Sequence, residues 1–514
     1  MTQMFTLIAY DLRSQLRERG TIALVLVALA LAGFGLFEGA RFERDQRRAV
    51  ADAAAQEAAA RAEANALATR YFADPAAPEF KSLQWYKTPV DVRGYAFRAH
   101  VGFAGKPEIP GAALAIGQAD LLPAYVRVRA ESMELARTAL EIEHPGRLAA
   151  GRFDLMFFVV YLWPLILLAL CTSVLTQDRE SHRLRALQLQ GVRLGRMLAA
   201  QVAARALSAS LVLVLAVGIA SLAAGTIPPD GAGMTALASW AGVVLLYSMF
   251  WAAVTVVICA VCGNRMTAAF AGFGAWLMLA VLLPGAMTAA IQMGAPVPVR
   301  ERYVQALRDA GDQVNADKLG SLARFYDSHP EWKPTVTPLS KVSSSVSRLQ
   351  RAQELERIMA GVDRQFEQAR RRQQHLFDQA IVFSPVTLVY QTLSAIAGND
   401  GERHRQFMEE VQRHQVQLRD YFQRAIQLAA LGDERKPCPA ACLGGYGFRD
   451  FDQVPRFGAS TALAQVPDAA PQLAVLSVWI AVLLAIAAGL MVRIRRGRRR
   501  LRYTAGFSAH DKRI

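Results

Sequence analysis

Six stretches of this chain are apolar over close to the length a helix needs to cross a bilayer, and nothing else in the sequence constrains the fold as strongly. They are Thr21–Phe37, Phe153–Leu175, Val202–Ala224, Ser239–Cys262, Thr267–Ile291 and Leu473–Val492. About 20 apolar residues span the hydrocarbon of a membrane. A length of 514 residues would otherwise suggest several soluble domains. The apolar runs replace that expectation with an all-α polytopic membrane protein. Its transmembrane helices are expected at 21–37, 153–175, 202–224, 239–262, 267–291 and 473–492.

The charge distribution orients these spans. The chain carries a formal charge of +15. Residues 38–152 and 292–472 are rich in charge of both signs and together contribute only +3. The remaining +12 sits before the first span, between the second and third spans with Arg205 at the edge of the third, at Arg265, and after the last span. Basic residues near a span resist translocation. Both termini are therefore expected in the cytoplasm and both large insertions, 38–152 and 292–472, outside it. Arg41, Arg44, Arg47 and Arg48 run against this rule, but they alternate with Glu38, Glu43 and Asp45, and long loops cross largely regardless of charge.

Between the second and third spans lies TQDRESHRLRALQLQGVRLGRM, at 176–197, with Arg179, Arg183, Arg185, Arg193 and Arg196. Leu184, Leu187, Leu194 and Leu198 recur at helical intervals. The region 176–201 therefore reads as an amphipathic helix at the inner membrane face, where another protein can act on it. Residues 1–20 form a second such helix, with Phe5, Ile8, Leu12 and Leu16 on one face. A cleaved signal peptide is disfavoured there because both the basic region and the apolar run are long for one.

The first insertion begins with the alanine-rich RRAVADAAAQEAAARAEANALATRYF, a helix continuing outward. It then turns to a mixed α/β character in which PAYVRVR alternates like a strand. In the second insertion, Leu355, Met359, Val362, Phe366, Ala369, Leu376, Ala380 and Phe383 form a heptad-like seam broken by Gln373. Phe407, Val411, Leu418, Phe422 and Ala425 mark another amphipathic helix, so this insertion is expected to be mainly a helical hairpin. Between the two, VTLVYQTLSAIAG either packs beneath the hairpin or rests on the outer leaflet. The tail at 493–514, RIRRGRRRLRY, is expected to bind anionic inner-leaflet lipid rather than nucleic acid.

Of five cysteines, Cys171, Cys259 and Cys262 fall in spans. Cys438 and Cys442 fall outside, where a disulfide between them and a pair of free thiols are both open. The sequence carries no G-x-x-x-x-G-K-[ST], H-E-x-x-H or G-x-S-x-G motif. His404 and His414 are expected on an exposed helix, solvated rather than metal-bound. Catalytic, cofactor-binding and metal-ligating residues are not expected. Apart from Asp154 and Arg205 at their edges, the spans hold no ionisable side chain, which an ion-coupled transporter or proton pump would need. Energy for transport would have to enter at the cytoplasmic face.

This layout resembles the permease subunit of ABC transporters of the ABC-2 exporter type. Those proteins have an interfacial N-terminal helix, six spans and a cytoplasmic coupling helix that begins with an E-R-E-x-G-T-L-like motif. Here Asp178, Arg179, Glu180 and Leu184 fit that motif, while His182 and Arg183 stand where Gly-Thr is usual. FSPVTLVYQTLSAIAGND followed by RHRQFMEEV is similar to the second insertion of a subgroup related to permeases of multicopper-enzyme maturation. The resemblance implies residence in a bacterial inner membrane. It also implies a separate ATP-binding subunit carrying ATP and Mg, and a second permease copy, identical or paralogous. Asp178, Arg179, Glu180, Arg183, Leu184 and Leu187 would meet the ATPase. A membrane-anchored sensing or scaffold protein with partner-binding outer lobes, and a secondary transporter, are the alternatives.

Overall fold

The computed structural model describes residues 15, 17–81, 84–130, 152–180, 194–262, 264–333, 344–433 and 444–510. They are mainly helical, and six helices are long and apolar enough to cross a membrane. The chain is a helical, polytopic membrane protein. Helix α1 (Arg19–Ala73) is the longest. At 1.5 Å per residue it is about 80 Å long, far more than a bilayer, so its alanine-rich half projects beyond the spans. The second span comprises Leu155–Phe157, a π-turn at Phe158–Leu162 and Trp163–Glu180, together α2. Helices α3 (Leu194–Ala223) and α4 (Gly231–Val261) follow. The fifth span, α5, runs as Arg265–Leu277, a π-turn at Met278–Leu282 and Leu283–Gly294. The sixth lies within α11 (Ala470–His510).

Both π-turns have the same cause. Pro164 and Pro284 cannot donate a backbone hydrogen bond, and their rings collide with the carbonyl four residues back. The helix widens by a residue just before each proline. In α2 the released carbonyls are taken up by neighbouring spans. Tyr247 Oη donates to Val160 O at 2.9 Å, and Trp276 Nε1 donates to Tyr161 O at 3.0 Å. Such side-chain substitutes are what make a broken helix tolerable inside a bilayer. Helix α4 is the hub of the bundle: Trp240, Tyr247, Phe250 and Trp251 are fully buried, and Trp163 Nε1 bonds Ser248 Oγ at 2.9 Å.

Outside the spans a second apolar core gathers Tyr71, Phe80, Tyr95, Val126, Phe325, Phe407, Phe422, Phe448 and Phe451. It joins both insertions. Strands β1 (Gly102–Gly105) and β2 (Tyr125–Val128) pair antiparallel, with Phe103 opposite Arg127. The second insertion contributes α6 (Arg300–Ala316), α7 (Lys318–Ser328), α8 (Ser344–Ala380), α9 (Pro385–Ile396) and α10 (Gly401–Asp433). The projecting half of α1 is stitched to this core by polar side chains. Buried Arg61 donates to the carbonyls of Phe451 (2.6 Å) and Val454 (3.3 Å). Glu57 accepts from Arg61 (3.1 Å) and from the Phe103 amide (3.0 Å).

The two long helices of the second insertion do not pack mainly on each other as the hairpin expectation required. Helix α8 lies along α6 and α7 and reaches the Leu283–Gly294 part of α5, with Phe366 against the Tyr303 ring. Helix α10 turns Phe407, Val411, Leu418, Phe422 and Ile426 into the shared core. Arg419 and Glu356 link the two at 2.6 Å. The periodic pattern marks which residues are covered, not what covers them. Phe383, the last seam position, is exposed. Helix α9 is largely buried against the span bundle and does not rest on a leaflet by its apolar face.

The first span meets the rest of the fold through two glycines one turn apart. A Cβ on Gly35 would stand 2.7 Å from Leu155 N, and one on Gly39 would overlap the carbonyl oxygen of Ala113. Small residues at that spacing let backbones approach within a membrane. Gly33, exposed on the same helix, has open space around it. Gly39→Val should therefore destabilise the protein by about 3 kcal/mol or more through overpacking, whereas Gly33→Val should leave it unchanged. Thermal unfolding of both variants in lipid nanodiscs checks this; equal midpoints would remove the close approach from the account.

Candidate functional site: the joint between lobe and spans

Three of the residues that the sequence marks for coupling occupy the far end of α2. Asp178, Arg179 and Glu180 prolong the helix Trp163–Glu180. The sequence pattern places a separate amphipathic helix at 176–201, of which 181–193 lie outside the described residues. Arg183, Leu184 and Leu187 lie outside the described residues, as do Cys438 and Cys442 and nearly all of the N-terminal interfacial helix. Nearby, buried Arg205 on α3 donates to Leu170 O on α2 at 3.2 Å. The Cys171 thiol lies 3.8 Å from Val202 O. These contacts bind the second and third spans together at the end that leads into the arginine-rich connection.

The opposite end holds a densely bonded polar arrangement that no sequence pattern announced. Residues 107–119 form a strap between the lobe and the spans. Ile109, Ala113, Leu114, Ala115, Ile116 and Ala119 in it are buried. A buried strap whose regular structure is limited to short 3-10 turns must find partners for its remaining amides and carbonyls. Asp154 supplies several. Its Oδ2 accepts the amides of Ile116 at 2.7 Å and Gly117 at 2.9 Å, and its Oδ1 accepts Phe157 N at 2.6 Å as the cap of α2. Gly117 has φ +55°, which lets two successive amides converge on one oxygen. From the other side, Asn399 Nδ2 donates to Ala115 O at 2.5 Å. Arg403 bridges Pro107 O (2.8 Å) and Gly398 O (2.9 Å).

One strap is thus held by the start of α2, by the close approach of α1, and by the junction between α9 and α10. A displacement of α1 or α2 must move the strap, and through it the lobe. Among the described residues, no cluster of three or more His, Cys, Asp or Glu side chains could hold a metal ion.

Beside the strap, a groove of about 740 Å³ runs between α1 and the loop at 452–459. Val50, Ala54, Ala58 and Ala62 lie along it at four-residue spacing. Their small side chains hollow out its floor. Its charges are largely paired internally: Glu57 with Arg61, Glu108 with Arg47, and Asp452 with Arg456. Lys106 stands at its end, its pKa pushed down to about 8 by burial and by Arg403.

Two histidines differ from the sequence expectation or escaped it. His414 is buried against the Phe457 ring, not solvated. His100 is buried between Tyr95 and Phe422, and among the described residues neither ring nitrogen has a hydrogen-bond partner. Burial first, then the positive charges of Arg61, His414 and Arg127, pushes its pKa down to about 3.

Residues 300–434 match a family described as a domain of unknown function (DUF3526). The match begins at α6 and ends just past α10. No curated protein and no solved structure matches the chain.

His100 makes the lobe acid-sensitive. Its folded pKa lies below the unfolded value near 6.5, so its share of stability is intact above pH 6.5. That share is lost as pH falls, because only the unfolded state takes up the proton. At pH 5 the loss is about 2 kcal/mol. His100→Leu should flatten the fall in unfolding midpoint between pH 7 and pH 5; an unchanged slope would show that His100 does not titrate this way.

Proposed function

We propose that this protein is the membrane-spanning permease subunit of an ATP-driven exporter of the ABC-2 type, coupled to a separate ATP-binding subunit. The observation that carries the proposal is the composition of the six spans. Asp154 and Arg205 at their edges are their only ionisable side chains, and Asp154 is consumed in backbone bonding to the strap. A bundle of this kind offers no intramembrane charge to couple to an ion gradient. The arginine-rich connection at 181–193, with its leucines at helical spacing, supplies a surface through which an external ATPase can drive it.

In this reading the protein lies in the bacterial inner membrane with both termini in the cytoplasm. The lobe built from 38–152 and 292–472 stands outside. The ATPase, carrying ATP and Mg, grips Asp178, Arg179, Glu180, Arg183, Leu184 and Leu187. Its closure shifts α2 and α3, which Arg205 ties together, and the strap passes the movement to the lobe. Two permease copies enclose the path. The groove along α1 supports a second reading, in which the chain anchors a partner-binding lobe and transports nothing.

The two readings separate on coexpression with a candidate ATP-binding subunit. Interface energy concentrates in a few buried anchors. Leu187→Asp should therefore abolish copurification with the ATPase without reducing membrane insertion. Glu180→Gln should lower ATP turnover of the complex several-fold while the complex still forms. If Leu187→Asp leaves both the complex and its turnover intact, the connection is not the coupling surface and the anchored-lobe reading gains.

A further inference from the structure

Between Asp378 and Asp400 the chain has no charged side chain. That stretch could cross a membrane once if it were straight, but it is not. The chain bends by 118° between α8 and α9, because Ser384-Pro385 ends one helix and begins the next. Ser384 Oγ accepts Thr387 N at 3.3 Å as the cap of α9, and Pro385 takes the first helical position. Helix α9, with 12 residues, is about 18 Å long, too short to cross alone.

The depth of the bend can be read from α11. The apolar window of that helix is Ala470–Val492. Trp479, nine residues into it, lies about 14 Å along the axis, near the middle of a hydrocarbon layer of about 30 Å. Its Nε1 donates to the carbonyl of Val382 at 2.9 Å. Helix α9 also touches the π-turn Met278–Leu282, which sits midway along Met266–Gly294. The bend is therefore inside the span bundle and not above it. Its backbone is bonded as that depth demands: Val382 O is held by Trp479, and Ser384 N by Ile381 O at 3.0 Å. Yet its two tip side chains point away from the protein, Val382 at 42% and Phe383 at 70% exposure.

We propose that residues 380–398 form a re-entrant element that dips into the leaflet on the lobe's side, with Val382 and Phe383 packed against lipid acyl chains. An exposed phenylalanine at this depth meets hydrocarbon, and burying one is favourable by roughly 1.5–3 kcal/mol. The element returns on the side it entered. The chain then crosses the membrane six times and its two ends lie on the same face. The inference rests on the membrane-spanning character of the chain and not on the transport proposal.

Photocrosslinking of the full-length protein in native membranes tests it. p-Benzoylphenylalanine is placed singly at Phe383, at Phe270 on α5 (71% exposed) and at Leu319 on α7 (67% exposed). Irradiation should attach phospholipid at 383 and at 270, read as a phospholipid-sized mass increase, and attach none at 319. Val382 serves the same test if the label at 383 disturbs folding. Lipid at 270 but none at 383 and 382 would overturn the re-entrant element. A covalent dimer at 383 would assign the tip to a second copy and overturn the lipid contact. Absence of lipid at 270 as well would overturn the membrane placement on which the inference depends.

Discussion

The carboxylate of Asp154 is the interaction on which the rest of this structure depends. Three backbone amides, from Ile116, Gly117 and Phe157, converge on its two oxygens. A carboxylate bonded to backbone amides is among the stronger hydrogen-bond acceptors a protein offers. Without it, an irregular strap would have to bury unpaired amides where the lobe meets the spans, at about 1–3 kcal/mol each. With it, the strap can lie close enough for Gly39 of α1 to touch Ala113. The same residue caps α2, so one side chain fixes where the second span begins and where the first insertion ends.

The same requirement runs through the bundle. At two of the places where the chain departs from regular helix at membrane depth, neighbouring side chains take over freed backbone groups. Tyr247 and Trp276 serve the kink before Pro164. Trp479 serves the bend before Pro385. Each donor is a tyrosine or tryptophan, which carries one polar atom on a large apolar body and so adds little cost where water is absent. These contacts tie α4, α5 and α11 to the irregular parts of α2 and the second insertion. The bundle therefore holds its kinked segments through specific bonds and not through apolar packing alone.

Much of the architecture was legible because it follows from solubility. Span number and approximate position come from runs of apolar side chains, which a bilayer selects directly. Pro164 and Pro284, each inside an apolar run, mark where the two broken helices widen. The strand near Tyr125 showed in its alternation. Partnership was not legible. The seam of α8 is periodic whether it faces α10 or, as found, α6 and α7. The apolar face of α10 gave no hint that Tyr95 and Phe448 from distant segments would cover it. His414 looked solvated because its helix is rich in charge, yet it falls on the covered face. Gly35, Gly39 and Asp154 were visible as residues, but their roles arise from approach between segments distant in the chain, at least 37 residues apart. No local pattern encodes that.

Hydrogen exchange in lipid nanodiscs, comparing the native chain with Asp154→Ala, tests most directly whether this carboxylate holds lobe and spans together. Exchange at 111–118 and over the first turns of α2 should become much faster. Exchange in α10 around Phe422, which lies in the separate lobe core, should stay slow. Native-like protection of Ile116 and Gly117 in the variant would contradict the account, because the strap would then be held by something other than Asp154.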